Sequence, residues 1–295
     1  MKSKLPSLLM LLLLAAATAA LAHPGGGIVV LDDGAVIAGD PVNNRLWRFQ
    51  ASKAPVALLE RFHGHWATRG LDGGIYVEAM QESGGAWPSS VFRLRDKAPP
   101  LEVAGRDDLG ALVFLVDRDG RLVFQRGDAI VRRERTGEIR RLATGEPPLG
   151  TVLAMAWGPK GTLHVADGDR IRMAGADGKL RTRARLPAPA GEPNPWNQGA
   201  GAQVTGLTVD ARGAIFAASP QLGSVLRIEG SSPPRAVTQD AGDGWLPTGV
   251  AWKDGSLWVL EHHASLSRGP RVRRIDSGGA STILGVVDAT VLGGR

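Results

Sequence analysis

Apolar and polar positions along this chain alternate in short runs separated by turn residues, and the pattern recurs. The stretch from Gly206 to Ile228, GLTVDARGAIFAASPQLGSVLRI, holds three such runs. GLTVD alternates, a polar turn ends at Gly213, AIFAA follows, and after a loop with Pro220 and Gly223 comes SVLRI, each run having the length and period of a β-strand. A fourth strand is predicted at residues 236–238. The turn signature Gly-x-aliphatic between two apolar runs occurs at Gly34, Gly73, Gly120, Gly161, Gly213 and Gly255, with spacings of 39, 47, 41, 52 and 42 residues. Arrays of about 40–50 residues with several short strands per repeat predict a β-propeller. The expected fold is all-β: six four-stranded antiparallel blades around a central channel, at residues 24–60, 61–105, 106–145, 146–186, 187–239 and 240–289.

A second signature sets the register. After each glycine an apolar strand carries an arginine: Arg48, Arg93, Arg132, Arg172, Arg227 and Arg274. Alternation places it on the opposite sheet face from its apolar neighbours. The expected role is structural, with the stem packed on the next blade.

Residues 1–22 are read as a secretory signal peptide, because Lys2 and Lys4 precede a Leu/Ala run that ends in the small-x-small pattern Ala20-Leu21-Ala22. The expected mature chain, residues 23–295, is one propeller domain, secreted or periplasmic, with no stable membrane insertion. Residues 25–27, all glycine, are read as a loose terminus. The sequence contains no cysteine, so the fold relies on its core and on ring closure rather than on disulfides.

The formal charge of the chain is +6. Its basic residues are spread through all six repeats, and the densest run, from Arg132 to Arg141, is interrupted by Glu134 and Glu138, as on a solvated face. That distribution gives no nucleic-acid footprint. The expected partners are a small molecule or a protein, with the chain itself a monomer.

Loop length points to one face. In an up-and-down blade the first and third turns lie on one face of the disc, and here they are short. The other face collects long insertions at residues 79–90, 187–203, 239–246 and 262–270, three of which carry Trp87, Trp196 and Trp245. The remaining tryptophans, Trp47, Trp66, Trp157, Trp252 and Trp258, fall in strand patterns and are expected in the core. His63 and His65 enter the first strand of blade two, with side chains on a common side if extended. Glu78, Asp40, Asp167 and Glu261 sit at the ends of second strands, Glu261 beside His262 and His263. The expected ligand-binding set is His63, His65, Glu78, Trp87, Asp167, Trp196 and Trp245. Imidazole and carboxylate in this arrangement also suit a divalent ion, Zn²⁺ or Ca²⁺, held by His63, His65, Glu261 and His263 with an open position for water. His164 takes the place that Tyr76, Phe216 and Trp258 hold in other copies and is expected to pack within its blade. Nucleophile elbows, phosphate loops and zinc-protease helices are absent from the sequence.

Blade one, DDGAVIAGDPVNNRLWRF with Asp40, Asn43, Asn44 and Arg45, resembles the NHL repeat, and GLTVDARGAIFAAS and TGVAWKDGSLWVLE look like further copies. The likeness implies a six-bladed propeller related to the SMP-30/gluconolactonase and strictosidine-synthase-like propellers, which work at this same channel mouth. The lactonase metal set does not carry over: Thr205 and Thr248 precede Gly206 and Gly249 where that set has an acidic or amide ligand, and no Glu precedes the first strand of blade one. Two functions follow as expectations. One is an exported binding protein that recognises a ligand or partner on the long-loop face. The alternative is a metal-assisted hydrolase or lactonase using the His/Glu set at the same mouth.

Overall fold

A computed structural model describes residues 25–80, 88–96, 98–105, 113–190, 202–238, 243–265 and 268–288. The leader, Trp87 and Trp196 lie outside the described residues. Among the described residues twenty-four strands follow one another as six antiparallel meanders. The first is β1–β4 (Ile28–Val30, Val36–Asp40, Arg45–Phe49, Val56–Glu60) and the second β5–β8 (Ala67–Arg69, Ile75–Met80, Ser89–Arg95, Ala98–Ala104). The third is β9–β12 (Phe114–Val116, Leu122–Arg126, Ala129–Arg133, Ile139–Gly145) and the fourth β13–β16 (Val152–Trp157, Leu163–Asp167, Arg170–Ala174, Lys179–Arg185). The fifth is β17–β20 (Gly206–Val209, Ile215–Ser219, Ser224–Ile228, Arg235–Ala236) and the sixth β21–β24 (Trp245–Lys253, Ser256–His263, Arg271–Ile275, Ser281–Val286). Each falls inside a repeat read from the sequence.

The first strands form a closed cycle of neighbours: β1 beside β5, then β9, β13, β17, β21 and back to β1. Each meander therefore stands radially, and the arrangement is that of a β-propeller. Four meanders are separate sheets; the third and fourth join into one eight-stranded sheet, because outer strands β12 and β16 pair in parallel at Thr144–Lys179 and Gly145–Leu180. The ring closes without a shared blade, since β21–β24 is complete in itself. Single bonds lock neighbours together: Trp66 Nε1 donates to Phe114 O (2.7 Å), Trp157 Nε1 to Val116 O (3.0 Å) and Lys253 Nζ to Leu31 O (2.9 Å).

The core lies between adjacent sheets. One cluster joins Ile28, Trp47 and Phe49 of the first meander to Trp258, Leu260 and Leu284 of the sixth, each large side chain contributing roughly 1.5–3 kcal/mol by leaving water. Trp47, Trp66 and Trp258 are buried as expected, whereas Trp157 and Trp252 are only half-buried and line the central cavity.

The arginine signature makes structural contacts within its own blade. It faces the second strand of its own blade at one repeated position, in the pairs Ile37–Arg48, Tyr76–Arg93, Val123–Arg132, Phe216–Arg227 and Trp258–Arg274. Where that residue is aromatic the guanidinium lies over the ring, at 5.7 Å for Tyr76 and Phe216 and 5.4 Å for Trp258. In the fourth meander the register is one residue out. Arg172 pairs with Val165 and His164 with Met173, so Arg172 points to the other face and is fully buried.

Candidate active site at the long-loop face

The mouth is closed by the glycine segment expected to be loose. Gly26 and Gly27 both donate to His65 O, at 3.0 and 3.1 Å. A Cβ on Gly26 would collide with Thr205 O, and one on Gly27 with the backbone of Trp66 and Ala67; Gly249 in turn has no room for a Cβ against Gly26 O. Only glycine lets the chain pass between the second, fifth and sixth meanders this closely. Behind it runs a cavity of about 430 Å³, lined by all six first strands and reaching the short turns at Asp32, Leu71 and Lys253. The cavity thus runs from the glycine segment to those short turns.

Around this plug, second strands end in buried acids, and most are latches. Asp40 accepts from Asn43 N (3.1 Å), Asn43 Nδ2 (2.9 Å) and Trp47 Nε1 (3.0 Å), bonds that oppose the upward pull of burial on its pKa. Asp167 accepts from Gly150 N (2.9 Å) and pairs with Arg172. Glu261 is clamped by Arg271 Nε (2.6 Å) and by Arg273. An arginine neutralises each of the last two. Asp167, expected to bind ligand, and Glu261, expected to bind metal, are thus both engaged by arginines of their own blades.

Glu78 differs. Its carboxylate is fully buried, accepts from His65 N (2.8 Å) and Ser89 Oγ (2.8 Å), and lies 3.6 Å from His65 Nδ1, with no arginine bonded to it among the described residues. The ring of His65 meets that of His63 edge-on, centroids 4.8 Å apart, as expected for side chains on one side of an extended segment. His63 is half-exposed, and its Nδ1 lies 2.8 Å from Asn44 Oδ1 in the β2–β3 turn of the neighbouring meander. Burial, then the adjacent His65, lowers the pKa of His63 below its ordinary value, while Glu78 and the Pro41 backbone act the other way. A neutral imidazole able to take a proton thus stands at the mouth, with a second imidazole and a buried carboxylate behind it.

The other expected residues are placed elsewhere. Trp245 is buried in β21 opposite His263, its ring 5.4 Å from that imidazole and covered by the Arg271 guanidinium at 4.4 Å. It is a packed strand residue, not a loop residue facing solvent. His263 Nδ1 lies 2.7 Å from Ser265 Oγ. Among the described residues no group of three or more His, Cys, Asp or Glu is arranged to hold a metal ion, so His63, His65, Glu261 and His263 are not brought together as one set. Asn44 and Ser89 join the site without having been singled out for it. Asn44 could have been found from its position in the blade-one motif, while Ser89 carries no sequence signal.

No protein-family model and no curated protein matches the chain. Solved structures do. A gluconolactonase of Xanthomonas campestris is similar at a TM-score of 0.59 and 16% identity, over 82% of this chain and 85% of that one. A virginiamycin B lyase of Staphylococcus aureus, made catalytically inactive by a His-to-Ala change and solved with quinupristin, gives 0.54 and 16%, over 89% and 84%. A PQQ-bound aldose sugar dehydrogenase of Streptomyces coelicolor gives 0.55 and 14%, over 90% and 94%. The shared element is the β-propeller. At these identities the likeness concerns the fold, and what this propeller does rests on its own side chains.

Proposed function

We propose that the protein is a hydrolase of small cyclic esters, acting at the long-loop mouth by general acid–base chemistry. The observation that carries this reading is the His63–His65–Glu78 stack, a half-exposed imidazole held neutral by burial and backed by a buried His–carboxylate contact of 3.6 Å. In this reading His63 takes a proton from water as its oxygen adds to the lactone carbonyl. The same imidazole then returns the proton to the ring oxygen as the C–O bond opens, giving a hydroxy acid. His65 and Glu78 position the ring, and the Glu78 carboxylate favours its protonated form while it carries the charge.

The solved relatives support an enzyme over a passive binder, since they include a gluconolactonase and a lyase that an Ala-for-His change inactivates. The buried Trp245 weakens the binding-protein reading, whose aromatic contacts depended in part on it. The test is a panel of five- and six-membered lactones followed by pH-stat titration in excess chelator. Ring opening well above the uncatalysed rate supports the proposal. Turnover that appears only on adding a divalent ion, or none across the panel, removes it, and the absence of turnover returns the protein to the binding class.

A further inference from the structure

Residues 126–185 hold 13 Lys and Arg against seven Asp and Glu, a formal +6 equal to that of the whole chain, so the rest of the sequence is balanced. Basic residues are scattered, but their excess is confined to the third and fourth meanders. These are the two joined through their outer strands. The parallel pairing staggers them, with Thr144 beside Lys179, so that β12 leads into β16 along the rim. From Ile139 to Arg185 the combined strip is about 35 Å long at roughly 3.3 Å per residue.

Arg140 and Arg141 lie at one end, Lys179 at the join and Arg181, Arg183 and Arg185 along the remainder, all exposed. Arg181 pairs with Asp177, Arg185 with Asp169 and Arg141 with Asp128, the last at 3.8 Å. Arg140, Lys179 and Arg183 have no ion-pair partner among the described residues. The β15–β16 register steps over Arg183, which leaves it without a cross-strand neighbour.

We propose that this strip binds a linear acidic glycan. Its length along two outer strands favours an extended polyanion over a compact one. It offers no aromatic side chain on which bases could stack, since Trp157, the one aromatic ring of residues 126–185 apart from His164, belongs to first strand β13. Nor does it present an exposed large apolar residue that could enter a bilayer. What remains is charge, with the hydroxyls of Thr144 and Thr182 beside it, which suits carboxylate or sulfate groups on a sugar chain.

The experiment measures Kd and its salt dependence for labelled heparin and for polygalacturonate, which separate sulfate from carboxylate recognition. The strip variant is Arg140→Glu/Lys179→Glu/Arg183→Glu. The control, Lys53→Glu/Arg61→Glu/Arg212→Glu, changes net charge equally at exposed sites outside the strip. The strip variant is expected to raise Kd for at least one glycan by about tenfold or more and to flatten the salt dependence by about two to three ion equivalents. The control is expected to change Kd less than about twofold. A Gln triple at the strip positions, with a melting curve matching wild type, separates lost binding from lost folding. Equal losses in strip and control variants, no glycan binding by wild type, or tighter binding to duplex DNA or anionic vesicles than to either glycan overturns the proposal.

Discussion

Replacing Gly26 with valine tests whether the glycine segment closes the mouth. The new Cβ would meet Thr205 O, with Thr248 O 3.0 Å away, and both are backbone atoms that cannot swing aside. Forcing the side chain in would cost about 1–3 kcal/mol as an overpacking strain, more if the carbonyls cannot yield. The segment has another way out, which is to leave. Its docking rests mainly on the two bonds to His65 O, worth about 0.5–1.5 kcal/mol each. The stability loss is therefore capped at about 1–3 kcal/mol, or roughly 2–12 °C in Tm for a domain of this size. Gly25→Ala, whose Cβ would stop 2.8 Å from His65 O, should fall between Gly26→Val and wild type. Thermal unfolding gives the magnitude, and amide exchange distinguishes release from strain, because the Gly27 amide and the residue-26 amide lose protection together. A Gly26→Val protein that melts like wild type, with both amides still protected, would refute the plug.

Three further outcomes follow from the geometry. Glu261→Ala leaves Arg271 and Arg273 facing each other without their carboxylate, so it should cost about 3–5 kcal/mol in denaturant unfolding and do so equally in chelator. His164 and His262 are held neutral by burial, with pKa values pushed down to about 4 and about 3. In the unfolded chain each takes up a proton near pH 6.5, so stability falls with pH between about 6.5 and about 4 for His164 and down to about 3 for His262. At pH 5 the loss is about 2 kcal/mol per histidine, and His164→Phe, which copies the Phe216 position, should remove about half of the slope in a pH series of melting curves. Tyr76→Leu removes both the ring under Arg93 and the 2.7 Å bond from its hydroxyl to Asp72, and should cost about 1–3 kcal/mol in denaturant melts without altering any rate at the mouth.

The strands and blades were legible because period-2 patterning and Gly-x-aliphatic turns are local. All six meanders fall where those marks predict them, and the arginine positions are correct. Their partners are not local. Nothing in RIRM tells whether Arg172 faces Val165 or His164, yet that single step decides whether the guanidinium is exposed or buried against Asp167. The acids at second-strand ends looked alike in sequence, and only the arginines of the third strands separate Glu261 and Asp167 from Glu78. Residues 25–27 carry no side chain, so no pattern marks them, and their role is set by carbonyls contributed from His65, Thr205 and Thr248. Of the candidate site, the common side of His63 and His65 was readable from strand geometry, while the Glu78 contact depends on how the segment before β5 meets β6 and Asn44 enters from the neighbouring blade.

The central claim is that His63 is the proton acceptor of a metal-independent site. It is tested most directly by the initial rate of lactone ring opening in chelator for wild type and His63→Ala, each checked for an unchanged melting curve. A loss of about 10²–10⁴-fold is expected in the variant. An unchanged rate in His63→Ala would contradict it.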